Sequence, residues 1–93
     1  MLKIKKNANK AWVTFTLEVP EGTGETVEIA GSWSDWKREK MKQKKDGSFS
    51  ITKILPANNE YEFRYIVDDV WQNEPETACR SNSFGTENSI ISI

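Results

Sequence analysis

The chain has 93 residues, which leaves room for a single domain spanning residues 1–93 around one core. A chain this short buries only about 60 to 65 percent of its unfolded surface, so a shallow surface site is favoured over a deep enclosed one. Thirteen basic against fourteen acidic side chains argue against a nucleic-acid or membrane binder, and the absence of histidine excludes every Ser-His, Cys-His and His-metal arrangement.

Residues 2–6 read as a frayed first strand. Residues 11–19 alternate with period two, putting Val13, Phe15, Leu17 and Val19 on one face and Trp12, Thr14, Thr16 and Glu18 on the other, the pattern of a half-buried strand. A glycine-bearing loop follows, and residues 26–31 form a second strand that ends at Gly31. Residues 41–44 and 48–55 read as a hairpin around Asp46-Gly47, because Asp-Gly accepts the positive φ angles of a tight reversal. Residues 60–67 alternate again, with Tyr61, Phe63, Tyr65 and Val67 inward and Glu60, Glu62, Arg64 and Ile66 outward; Asp68-Asp69 then turns the chain. A last short strand over residues 89–93 pairs Ile91 and Ile93 on one face. No segment sustains a 3.6-residue period, so about seven to eight short strands at this spacing predict an all-β sandwich.

Residues 72–88 do not fit that plain pattern. This polar connection exceeds the length of ordinary loops, and Pro75, Phe84 and Gly85 give it fixed points, so an ordered functional loop is expected. The lone Cys79 has no internal disulfide partner, and no apolar run is long enough for a signal peptide or a membrane span, which reads as a reduced, cytoplasmic chain. Charge is uneven: residues 1–45 hold ten basic and six acidic groups. Six of the positives crowd residues 37–45, where lysines serve best to keep an exposed sheet edge from pairing with another molecule. Carboxylate pairs such as Glu74 and Glu76 are nominal candidates for glycoside hydrolysis, and Asp68-Asp69 is better read as a turn former.

The four tryptophans carry the functional signal, because the inward positions supplied by the alternation cannot hold four indoles. Trp12 and Trp33 are expected to pack. Trp36 in an irregular loop and Trp71 just past a turn are candidates for exposed platforms, which suit a ligand with an apolar face and a polar rim. A pyranose ring is such a ligand, and Arg64, Thr86 and Asn88 are placed to hydrogen-bond its hydroxyls.

Three stretches, Val27-Glu-Ile-Ala-Gly31-Ser-Trp-Ser-Asp-Trp36, Tyr61 through Pro75, and Phe84 through Ile93, are similar in order and spacing to carbohydrate-binding module family 48. That family includes the glycogen-binding domain of the AMP-activated protein kinase beta subunit and the early-set domains preceding isoamylase and branching-enzyme barrels. The resemblance covers about residues 26–93 and implies an immunoglobulin-like (early-set) sandwich. It places the two sugar-stacking residues on Trp36 and Trp71, the basic hydrogen-bonding residue on Arg64, an apolar finger on Phe84, closing polar groups on Thr86 and Asn88, and a supporting carboxylate on Glu74. Departures are Asp69 for a frequent Gly, Trp33 for a frequent Phe, Arg64 where many members have Lys, and the basic stretch 37–45. The implied function is non-catalytic binding of α-1,4-linked glucan, with an α-glucan oligosaccharide or polysaccharide as partner. No cofactor, no metal, no catalytic residue, no nucleic acid and no membrane are expected. The alternative is a regulatory early-set domain that docks a glycogen-metabolising enzyme and has weak or lost sugar binding.

Overall fold

A computed structural model describes residues 2–20, 22, 24–82 and 85–93. The described residues form strands β1 (Leu2–Asn7), β2 (Lys10–Leu17), β3 (Val27–Gly31), β4 (Glu39–Lys40), β5 (Lys42–Gln43), β6 (Phe49–Pro56), β7 (Glu60–Val67), β8 (Val70–Gln72), β9 (Cys79–Ser81) and β10 (Glu87–Ser92), with one 3-10 turn at Ser32–Ser34. Every pairing is antiparallel, in a sheet ordered β1-β2-β6-β5 and a second ordered β4-β3-β7-β10-β9, with β8 also paired to β7. The two sheets make the all-β sandwich that the alternation predicts.

The inward sets of the two longest alternating runs meet in the core. Ala11, Val13, Phe15 and Leu17 from β2 pack with Phe63, Tyr65 and Val67 from β7, joined by Ile29, Leu55 and Ile91. Phe63 contacts Phe15 and Tyr65 edge to face, and Trp33 lies against Phe15, Phe63 and Tyr61, so the centre is an aromatic cluster. Gly31 makes room for that indole, because a Cβ there would sit 2.6 Å from the Trp33 ring. The Trp33 Nε1–H donates to Glu39 Oε1 at 3.0 Å, and Glu39 in turn pairs with Lys53. The polar end of a mostly buried ring is thereby satisfied.

Four details differ from the sequence reading. The first strand is not frayed: Leu2–Asn7 pairs with β2 along its whole length. The hairpin around Asp46-Gly47 forms, with β5 paired to β6, but it starts at Lys42, because the chain changes sheets at Met41 and β4 pairs with β3. Met41 itself is buried at this crossing, and the flanking lysines lie on the edge strand of each sheet, as edge protection requires. Residues 72–88 are not a bare loop, since β9 within them pairs with β10. Ile66, on the outward side of β7, is fully buried, because Trp71 lies directly opposite it on β8 and on the same face.

Candidate functional site

Strand β7 shares one edge between two partners, β10 along residues 60–63 and β8 along residues 65–67. Arg64 falls at the joint, and period-two geometry points it away from the core. Its outward neighbours are therefore Trp71 on β8 to one side and Asn88 on β10 to the other. The β7–β8 connection is a two-residue turn with positive φ at both Asp68 (49°) and Asp69 (66°), the requirement of the primed hairpin turns that match strand twist. Asp68 also accepts from the N–H groups of Gly24 (3.0 Å) and Thr26 (2.9 Å), which hold its carboxyl below the usual carboxylate range. The turn that presents Trp71 is thus anchored to the loop before β3.

Trp36 arrives from the other side. After the 3-10 turn, Asp35 (φ 53°) and Trp36 (φ 63°) both take left-handed backbone, and the Trp36 N–H donates to the Gly31 carbonyl at 2.9 Å. A left-handed conformation costs a non-glycine residue roughly 1 to 2 kcal/mol. Here it turns Trp36 away from the core that Trp33 enters.

Trp36, Arg64, Trp71, Thr86 and Asn88 all line one open concavity of about 680 Å³, together with Ser32, Glu62 and Asn82. Trp71 is 37% exposed, and the guanidinium carbons of Arg64 and Arg38 lie 5.6 Å and 5.5 Å from its ring centroid. Both are within cation–π range, which orients the indole without covering it. Arg38 is held in turn by Asp69 at 3.0 Å and by Glu28 at 3.5 Å. Arg64 Nε is enclosed by the protein and has no hydrogen-bond partner, while its guanidinium carbon lies over the Trp71 ring.

The far wall is a hydrogen-bonded polar set. Asn88 Nδ2 donates to Glu62 Oε1 at 3.2 Å, Asn82 Nδ2 donates to Thr86 Oγ1 at 2.7 Å and to Asn88 Oδ1 at 3.3 Å, and the Thr86 N–H donates to Asn82 Oδ1 at 3.2 Å. Ser32 Oγ accepts from the Glu62 N–H at 3.1 Å and ties the loop bearing Trp36 to β7. These contacts fix the hydrogen-bonding groups before any ligand arrives.

One described residue expected at the site is not brought to it. Glu74 is a correction: it is 1% exposed and accepts from the Tyr65 hydroxyl at 2.8 Å, while its own N–H donates to Ser89 Oγ at 2.8 Å. Tyr65 and Ser89 are inward residues of β7 and β10, so Glu74 lies behind the sheet that carries the concavity. Burial first, and then the Glu74 carboxylate, push the Tyr65 hydroxyl far above its ordinary range and keep it a donor. Phe84, expected as the apolar finger, lies outside the described residues.

Ser32, Glu62 and Asn82 are the lining residues that sequence reasoning missed. Glu62 carries a usable signal, since it is two residues from Arg64 on the outward face of one strand. Asn82 lies within the stretch expected to be a functional loop, and nothing distinguishes it there from its polar neighbours.

A family model described as the glycogen recognition site of AMP-activated protein kinase matches residues 13–93. The chain belongs to this family. It is 33% identical over 70 residues to the SNF1-related protein kinase regulatory subunit beta-2 of Arabidopsis thaliana, covering 75% of this chain and 24% of that protein. It is 33% identical over 69 residues to Protein FLOURY ENDOSPERM 6, chloroplastic, of Oryza sativa subsp. japonica, covering 72% and 12%. Against human 5'-AMP-activated protein kinase subunit beta-1 the identity is 24% over 72 residues, covering 77% and 26%. The chain therefore spans about a quarter or less of the length of these relatives. The family is a carbohydrate-recognition domain of regulatory subunits, and no helix among the described residues is long and apolar enough to cross a membrane.

Proposed function

We propose that this chain, folding as one unit, binds α-1,4-linked glucan without cleaving it. Glucose rings stack on Trp36 and Trp71, Arg64 donates from its guanidinium to a sugar hydroxyl or ring oxygen, and Thr86 and Asn88 close the polar wall. The observation that carries the reading is the convergence of two indoles and a guanidinium with a polar wall in one open concavity. Two platforms lining one concavity suit a chain that curves between successive rings, as α-1,4 linkage makes it do. A straight β-1,4 chain presents its rings differently and binds far worse.

Affinity is in the micromolar to millimolar range expected of a shallow site with few contacts. Calorimetric titration with maltoheptaose and with cellohexaose tests the reading. Heat with the first and none with the second is expected, and no heat with millimolar maltoheptaose overturns it. Catalysis is not part of this function: an open sandwich face offers no cleft to hold a distorted sugar between two carboxylates. Release of reducing ends from amylopectin, abolished by Glu76→Gln, would contradict that.

The names of the relatives as kinase regulatory subunits favour a second role beside the first, in which the domain also docks an enzyme that it brings to glucan. Co-purification of a stoichiometric complex in the absence of sugar tests it.

A further inference from the structure

The outer face of the other sheet is built differently and has no part in the site above. Its residues follow from the register: Lys3, Lys5 and Asn7 on β1 stand opposite Thr14, Trp12 and Lys10 on β2, which stand opposite Thr52, Ile54 and Pro56 on β6. Lys42 on β5 extends the row beside Ser50. Among these described strand residues are four lysines and no carboxylate, in a protein whose net charge is −1. A second concavity of about 680 Å³ opens here, lined by Lys3, Lys5, Asn7, Trp12, Thr14 and Thr52 together with Ile4.

Trp12 is half-buried on this face, with Lys5 directly across on one side and Ile54, 58% exposed, on the other. Directly opposed residues of an antiparallel pair have Cβ atoms roughly 5 Å apart, so the Lys5 side chain rises from the sheet beside the indole. The hydroxyls of Thr14 and Thr52 lie 2.9 Å apart and share one hydrogen bond. That bond uses one hydroxyl proton and leaves the other O–H, along with spare lone pairs, for a ligand. Lys3, Lys5, Asn7 and Trp12 all precede the residues 13–93 that match the family model.

We propose that this groove is a second saccharide site, selective for glucan carrying phosphate monoesters. Trp12 takes the apolar face of a glucose ring, Thr14, Thr52 and Asn7 meet its hydroxyls, and the Lys3 and Lys5 ammonium groups meet the phosphate as mobile point charges. Uniform positive charge is what singles out an anionic ligand. A concavity lined by one indole and uncharged hydrogen-bonding groups beside the lysines favours a sugar over a flat protein surface. This reading stands apart from the Trp36–Trp71 site, since no residue is shared.

Phosphorylated amylopectin fragments, and the same fragments after phosphatase treatment, test the proposal by calorimetry in a Trp36→Ala/Trp71→Ala background that isolates the groove. The phosphorylated form is expected to bind about three- to tenfold tighter, the range that two exposed ammonium–phosphate pairs supply. Lys5→Glu should remove the difference, Lys5→Arg should retain it, and Trp12→Ala should weaken binding of both forms. In the otherwise unaltered protein, Trp12→Ala should keep a cooperative thermal unfolding transition, which reports that the variant is folded. Equal binding of the two glucans overturns the proposal and leaves the face to an acidic protein partner. Competition by inorganic polyphosphate with no effect of Trp12→Ala also overturns it, because the lysines would then act as a plain charge patch.

Discussion

Trp33 and Trp36 leave the same turn in opposite directions, one into the aromatic core against Phe15 and Phe63 and the other into the concavity shared with Arg64 and Trp71. The difference lies in how completely each ring is engaged. Trp33 has three aromatic neighbours and a hydrogen bond on its indole nitrogen, whereas the platform Trp71, with Ile66 opposite it and two guanidinium groups near its ring, remains 37% exposed. Strand β7 repeats the contrast at single-residue resolution, with Phe63 and Tyr65 filling the core and Glu62 and Arg64 facing the concavity. One strand thus carries stability on one set of alternate residues and recognition on the other, and the two can be altered separately.

The largest expected effect is on the core side. Phe63→Ala removes a fully buried ring at the centre of the aromatic cluster and should cost about 3 to 5 kcal/mol, a large share of a small domain's stability. Chemical denaturation should show the loss. If Trp71→Ala is destabilised as much as Phe63→Ala, Trp71 is a core residue and the division between the faces fails. Gly31→Ala comes next: its methyl would strike the Trp33 ring, and overpacking of this kind costs about 1 to 3 kcal/mol. The same measurement made in a Trp33→Leu background should give a smaller penalty, because the obstructing ring is gone.

On the outer side the expected loss is in affinity. Trp36→Ala and Trp71→Ala should each weaken maltoheptaose binding by about 2 kcal/mol, roughly thirtyfold, a figure taken from bases stacked on aromatic side chains. Trp71→Ala should also lower the melting temperature slightly, since it uncovers Ile66, but far less than Phe63→Ala does. Unchanged affinity in both variants would place the binding face elsewhere.

Much of this division is legible in the sequence, and the rest is not for physical reasons. Strict alternation over residues 11–17 and 60–67 marks both core faces, because a half-buried strand leaves a period-two signal that nothing else imitates. The Asp68-Asp69 reversal and the exposure of Trp71 follow from local turn chemistry. The change of sheet at Met41 leaves no such trace: both two-residue strands are polar, and only the burial of Met41 distinguishes the crossing from a continuous strand. The burial of Ile66 depends on which residue β8 sets opposite it, which alternation within β7 alone does not tell. Glu74 fails for a related reason. A carboxylate near Trp71 in the chain reads as a site residue, but the register of β10 puts Ser89 and Tyr65 beside it, behind the sheet.

The smallest expected effect concerns the polar end of the core tryptophan. Burial raises the Glu39 carboxyl, but the hydrogen bonds it accepts from Lys53 and Trp33 outweigh that and leave its pKa below the ordinary value. A carboxyl depressed in the folded state contributes stability that is fully present above its unfolded pKa and is lost as pH falls through the folded one. Stability should therefore fall on acidification below about pH 4.5, in part through Glu39. Asp46 and Asp68 are lowered as well, so the total slope does not belong to one residue. Glu39→Gln isolates it, because the amide oxygen still accepts from the Trp33 indole while the charge facing Lys53 is gone. At neutral pH the variant should lose up to about 1 kcal/mol, the value of a partly exposed ion pair, and the deficit should shrink as pH drops toward 3. A deficit that stays constant with pH would mean that the pair contributes by shape and hydrogen bonding alone. Trp33 would then be held in the core by its ring contacts, with no electrostatic help from the two residues at its edge.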